Sequence, residues 1–186
     1  MSHAPLRIAV ITASTRPGRF GPTVAAWFVD QAERHGLDVD PVDLADLGRL
    51  DDPAAAQELG RHVEAADGVV VVTPEYNHSF PGPLKTAIDG LHGQWHAKPV
   101  AFVSYGGISG GLRAVEGLRL VFAELHAMTV RETVSFAGAA ACFDGSGQPK
   151  DADAVAAAAT RVLDQLAWWA EALRVARARR PYGQAA

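Results

Sequence analysis

The chain has 186 residues and a mass of 19.6 kDa, and one domain over residues 1–186 is expected from that length. Hydrophobic residues make up 48% and charged residues 20%, which excludes wholesale disorder, collagen and coiled coil. A formal charge of −4 and a pI of about 5.9 argue against a nucleic-acid partner, which calls for a basic surplus.

Short apolar runs alternate with longer helical patterns. Residues 6–12, LRIAVIT, read as a buried strand. Residues 22–35 read as a helix, with Val24, Trp27, Phe28 and Ala32 on one stripe. Pro22 suits its first turn and Gly36 its stop. Residues 37–44 form a weaker strand, with Leu37, Val39 and Val42 partly alternating. A helix over 54–66 follows, with Leu59 and Val63 one turn apart. Residues 68–73, GVVVVT, are the clearest strand, β-branched and suited to burial on both faces. Residues 83–91 predict a helix, 99–104 a strand, 111–126 a helix and 128–136 a fifth strand. Residues 137–150 look like a loop. Residues 151–177 give a long helix with Asp151 and Asp153 at its dipole-favoured start, and the basic tail of residues 177–180, with Pro181-Tyr182-Gly183 after it, is expected to fray. Trp168 lies off the inward stripe, either exposed or at an oligomer contact. The spacing allows helical crossovers throughout, so the expected fold is an α/β three-layer sandwich with five parallel strands.

Ligands of such sheets bind beyond the carboxyl ends of the strands. The loop after the first strand holds Ser14, Thr15, Arg16, Pro17, Gly18, Arg19, Phe20, Gly21, Pro22 and Thr23. Hydroxyls, arginines and a helix start suit a phosphate; the alternative is an ordinary capped loop. The chain lacks both a triphosphatase P-loop and a G-x-G-x-x-G fingerprint. After the third strand come Pro74, Glu75, Tyr76 and Asn77, stiffened by three prolines and able to frame a planar heterocycle. Glu75 reads better as a loop-fixing or capping carboxylate than as a catalytic acid. After the fourth strand, Ser104, Tyr105, Gly106 and Gly107 precede Ser109-Gly110-Gly111, where glycines let backbone approach a ring closely.

Little else carries chemistry. No nucleophile motif is present, so no catalytic side chain is assigned. Cys142 is the sole cysteine, which rules out an internal disulfide and fits a reducing cytoplasm. No metal site is expected, and His92 and His96 read as surface residues. Residues 1–6 show no leader pattern, and the apolar runs at 8–11 and 69–72 fall far short of the ~20 residues that span a bilayer. No membrane partner is expected, and the Asn77-His78-Ser79 sequon is read as chance.

At these three loops the chain resembles the NADPH-dependent FMN reductases of flavodoxin-like fold. The matching residues are Ser14-Thr15-Arg16-Pro17-Gly18-Arg19, then Pro74-Glu75-Tyr76-Asn77 with Leu84-Lys85-Thr86-Ala87-Ile88-Asp89, then Ser104-Tyr105-Gly106-Gly107 with Ser109-Gly110-Gly111. The resemblance runs from about residue 6 to 136 and implies strand order 2-1-3-4-5 and one non-covalent FMN. It implies that Ser14, Arg16, Gly21, Pro22 and Thr23 hold the FMN phosphate, with Arg19 at the phosphate or in solvent. Pro74, Glu75, Tyr76 and Asn77 would border the ring on one side, and Ser104, Tyr105, Gly106 and Gly107 on the other. Gly90 departs from the pattern, since many relatives carry Trp there. The implied activity is an FMN-dependent NAD(P)H oxidoreductase. It would take hydride from NADPH or NADH onto FMN and pass electrons to a quinone, azo, metal-oxyanion or flavin acceptor. A homodimer or homotetramer is implied as well. The competing reading is an FMN-binding electron-transfer protein without its own nicotinamide site.

Overall fold

A computed structural model describes residues 4–183; residues 1–3, part of the segment searched for a leader, and 184–186 lie outside it. The strands are β1 (Arg7–Thr12), β2 (Asp38–Asp43), β3 (Gly68–Pro74), β4 (Pro99–Gly106) and β5 (Met128–Ala137). The helices are α1 (Gly21–Arg34), α2 (Pro53–Ala65), α3 (Gly82–Asp89), α4 (Leu112–Glu124), α5 (Ala139–Cys142) and α6 (Ala152–Arg179). All neighbouring strands run parallel, in the order β2-β1-β3-β4-β5. This is the flavodoxin-like topology expected.

Alternation along the strands sends side chains to two cores. Ile8, Val10, Val70, Val72, Ala101 and Val103 face α1 and α6, where Phe28, Trp27, Val162 and Leu166 meet them. Ala9, Ile11, Val69, Val71, Val100 and Phe102 face α2, α3 and α4, against Leu59, Val63, Leu84, Ile88, Leu118 and Phe122. The central strand β3 is buried along its whole length, which is why it reads as an unbroken valine run. Gly90 sits where α3 meets α2: a Cβ there would lie 3.2 Å from the Ala56 methyl.

Three features escaped the hydrophobic pattern because each is too short to show a period. Residues 137–150 contain the single helical turn α5. Gly93–Trp95 forms a 3₁₀ turn that carries Trp95 into the core, where its indole N–H donates to the Ile88 carbonyl at 3.1 Å. The tail expected to fray is held instead: Arg177 donates to the Ala97 carbonyl at 2.6 Å, and the Tyr182 hydroxyl meets His126 Nδ1 at 3.0 Å. His96 is partly buried between His92 and His126, with ring centroids 5.2 and 5.1 Å away, so only His92 is a surface residue.

Lys98 is buried just ahead of β4 and caps α2, donating to the carbonyls of Glu64 and Ala66. Burial, with the Arg177 charge second, pushes its pKa down to about 8. Above that pH the folded protein sheds a proton that the unfolded chain retains, so stability rises with pH toward the ordinary lysine range. Between about pH 7.5 and about pH 9.5, urea unfolding is expected to show the native protein gaining about 1–2 kcal/mol relative to Lys98→Met.

Candidate functional site

β1, β3 and β4 are consecutive neighbours in the sheet, so the loops at their carboxyl ends meet along one edge. The Ala13 amide still bonds the Val72 carbonyl at 2.9 Å. Beyond it, the amides of Ser14, Thr15, Arg16, Gly18 and Arg19 meet no protein acceptor among the described residues. The loop runs into α1, whose N-cap Phe20 supplies no side-chain cap and whose first turn carries no acid. Open N–H groups facing the positive end of a 14-residue helix suit a dianion. Pro22 and Thr23 lie in the first turn of that helix, where Thr23 is half-buried.

A second layer supports this loop. Ser14 is fully buried, and its Oγ accepts a hydrogen bond from the Tyr105 hydroxyl at 3.1 Å. Tyr105 reaches beneath the loop from β4, and burial pushes its phenol up to about 12, so it keeps its proton and donates. Gly21 closes the arrangement: a Cβ there would collide with Ser14 Oγ and stand 2.8 Å from the Tyr105 hydroxyl. Phe20 packs edge-on against Tyr105 and Phe143, with centroids 6.3 and 5.2 Å away.

The two arginines differ. Arg16 is exposed, has no carboxylate partner among the described residues, and lies 3.7 Å over the Tyr76 ring. Arg19, expected at the phosphate or in solvent, is half-buried. Its guanidinium forks onto Asp43 at 2.8 and 2.7 Å and donates to the Ser14 carbonyl at 2.6 Å. It ties the end of β1 to the end of β2 and fixes the loop from behind.

After β3, Tyr76 and Ser79 exchange backbone hydrogen bonds of 2.8 and 3.0 Å around Asn77 and His78. Both central residues have positive φ, 50° and 66°, as a primed two-residue turn requires. The result is a stiff hairpin tip carrying the Tyr76 ring. Pro74 pairs with Tyr105 in the sheet and starts this loop. Glu75 turns toward α4, where its carboxylate accepts from Ser109 Oγ at 2.6 Å and from the Arg113 amide and guanidinium at 3.2 and 2.9 Å. Burial pushes its pKa up, but the Ser109 and Arg113 hydrogen bonds outweigh that and hold it below the usual range. It is therefore ionised at neutral pH and fixes the loops in place. Glu75→Ala is expected to cost about 2–3 kcal/mol in urea unfolding, and Glu75→Gln about half of that.

After β4, Ser104 and Ser135 both donate to the Gly110 carbonyl at 2.9 Å. The carbonyls of Gly106 and Gly107 both accept from the Gly138 amide at 2.9 Å. The side chains of Ser104 and Tyr105 are thus turned under the edge. What remains open is backbone: the Gly107 and Ile108 amides have no acceptor among the described residues, and a Cβ on Gly107 would meet open space. Together, the open amides, the unpaired Arg16 and the glycine-walled gap fit a phosphorylated planar ligand.

A cavity of about 600 Å³ adjoins the first loop, lined in part by Thr15, Ala45, Leu50, Asp51, Pro83 and Thr86. Residues 45–51 carry no motif in the sequence that places them at the site. Strand adjacency was the available signal: β2 flanks β1, so its exit loop borders the same edge. Among the described residues, no group of three His, Cys, Asp or Glu could hold a metal ion.

Comparison with known proteins bears on this site. Residues 6–141 match the family model described as NADPH-dependent FMN reductase. The chain is 38% identical over 120 residues to an NAD(P)H-dependent FMN reductase of Schizosaccharomyces pombe, covering 56% of this chain and 60% of that protein. It is 34% identical over 159 residues to a quinone reductase of Pseudomonas putida, covering 77% of this chain and 84% of that one. Among solved structures, FerB, a flavoenzyme NAD(P)H:(acceptor) oxidoreductase from Paracoccus denitrificans, superposes with a TM-score of 0.73. That match has 23% identity and covers 90% of this chain and 98% of FerB, a likeness of fold.

Proposed function

The chain belongs to the NADPH-dependent FMN reductase family, and on that premise we propose that it is an FMN-dependent NAD(P)H oxidoreductase acting on small-molecule electron acceptors. The observation that carries this reading is the meeting, on one sheet edge, of unsatisfied amides, the unpaired Arg16 and the open gap at Gly107.

In this reading the amides of Thr15, Arg16, Gly18 and Arg19, the start of α1 and Thr23 hold the FMN phosphate over the buried Ser14, and Arg16 swings from Tyr76 to add a charged fork. The Pro74 to Asn77 hairpin and the Gly106-Gly107 backbone flank the ring. Bound FMN supplies the hydride chemistry. The chain's own part is to bind, orient and leave one side open; no side chain is required as nucleophile or proton donor, and Glu75 and Tyr105 are both committed to holding loops. The cavity beside Thr15 leaves room for NADPH or NADH and then for an acceptor such as a quinone, azo compound, metal oxyanion or free flavin. The name of the Pseudomonas relative favours a quinone.

A homo-oligomer in the cytoplasm belongs to the same proposal. Ile108, Leu120 and Trp168 are 95%, 76% and 64% exposed, a cost in water that self-association would remove. No described helix is long and apolar enough to cross a membrane.

Anaerobic stopped-flow mixing tests the reading. The FMN-loaded protein is expected to lose its flavin absorbance on mixing with NADPH or NADH, and to regain it when benzoquinone is added. Bound FMN that neither nicotinamide bleaches would overturn the reductase in favour of an electron carrier.

A further inference from the structure

At the opposite end of the sheet, a cavity of about 470 Å³ is lined by Glu64, Gly93, Gln94, His96, Lys98 and Arg177. We propose that this cavity binds a small dianion, inorganic phosphate or a phosphomonoester, at a site separate from the flavin edge.

The first argument is uncompensated charge. Lys98 is only 6% exposed, yet no carboxylate lies within 4 Å of it among the described residues. Its two partners are the carbonyls of Glu64 and Ala66, which leave one of its three N–H groups unspent. Arg177 stands beside it and spends one N–H on the Ala97 carbonyl; its carboxylate contact is Asp67, at 3.9 Å. Asp67 is already shared with Arg174 at 3.4 Å and with the Arg7 amide at 3.1 Å. Asp67 and Glu64 offset part of this positive charge from a distance, but the two neighbouring cations still repel one another. Burial, then the Arg177 charge, lowers the affinity of Lys98 for its proton, and burial does the same to Arg177. An anion between them would remove that repulsion and accept the spare donors.

The second argument is an unsatisfied buried group. His96 Nε2 is shielded from solvent and has no hydrogen-bond partner among the described residues. Its ring is held in place by His92, His126 and Tyr182, with centroids 5.1–5.5 Å away. Burial, then the neighbouring His126 and His92, holds its pKa below the ordinary range, so it stays neutral and can offer a single N–H donor. Glu64 is the one carboxylate lining the cavity, and its side chain is exposed. The volume admits a phosphate with room to spare, so a phosphomonoester also fits.

Calorimetric titration of the FMN-loaded protein tests this, because FMN then fills the phosphate loop at the other end. Inorganic phosphate and AMP are the probes. One saturable site is expected. Tighter binding of AMP would identify a phosphomonoester, and equal binding free phosphate. Gln94→Glu keeps the side-chain oxygen that accepts from the His92 amide at 3.2 Å while placing a negative charge on the wall. It is expected to weaken either anion at least tenfold and to leave FMN content unchanged. Lys98→Met is expected to do the same to the anion. Absence of binding by both probes, or affinity unchanged in a folded Gln94→Glu variant, would overturn the proposal. Neither result would alter FMN binding, so the flavin reading stands or falls separately.

Discussion

Gly111→Ala is expected to unfold most of what the site depends on, at a cost of about 3–5 kcal/mol in urea unfolding. Gly111 has φ +90°, a conformation that penalises any Cβ. The added methyl would also stand 2.7 Å from the Ser104 Cβ and 2.8 and 3.0 Å from the Tyr105 amide and carbonyl. Those neighbours belong to the central sheet and cannot shift without breaking its ladder. Gly107→Ala is the contrasting variant. Its methyl meets open space, so stability should change by less than about 0.5 kcal/mol, while flavin affinity falls because the methyl enters the gap the ring would use. Loss of flavin with loss of fold in one variant, and loss of flavin alone in the other, separates scaffold from binding surface.

Arg16→Ala is expected to weaken FMN by about 10–100-fold and to leave riboflavin almost unchanged, as a phosphate-directed guanidinium worth about 1.5–3 kcal/mol would require. Fluorescence quenching with the two flavins measures both values on the same preparation. If Arg16 served only to stack on Tyr76, both flavins would suffer alike. Tyr105→Phe probes the layer below. The Tyr105 hydroxyl donates to Ser14 Oγ and holds that fully buried serine, and with it the loop above, in place. Its loss should cost FMN about fivefold to tenfold, again without effect on riboflavin.

The middle of the sheet could be read from the sequence because β1, β3 and β4 are covered on both faces and show as apolar runs; β3 is the extreme case, with every residue buried, while the edge strand β2 is the weak one. The three loops could be read because glycine, proline and arginine cluster where strands end. The pairing of their side chains could not. Tyr105 meets Ser14 across 91 positions and Glu75 meets Arg113 across 38, and no local pattern encodes such contacts. For that reason no local pattern shows that the Tyr105 and Ser104 side chains lie beneath the edge as supports, or that Arg19 clamps Asp43. The reading of Glu75 as a loop-fixing carboxylate agrees with its bonds to Ser109 and Arg113, because an acid in a proline-stiffened loop beside a helix start has few other stabilising roles. Short elements, such as the 3₁₀ turn at Gly93–Trp95, stayed hidden for want of a period.

The central claim is that three neighbouring strand ends form one cradle for FMN. A crystal structure of the protein grown with FMN tests it most directly. The account predicts the phosphate against the amides of Thr15, Arg16, Gly18 and Arg19 and the start of α1, with the ring between Tyr76 and the Gly106-Gly107 backbone. A flavin bound away from this edge, or one whose phosphate points out into solvent, would contradict it.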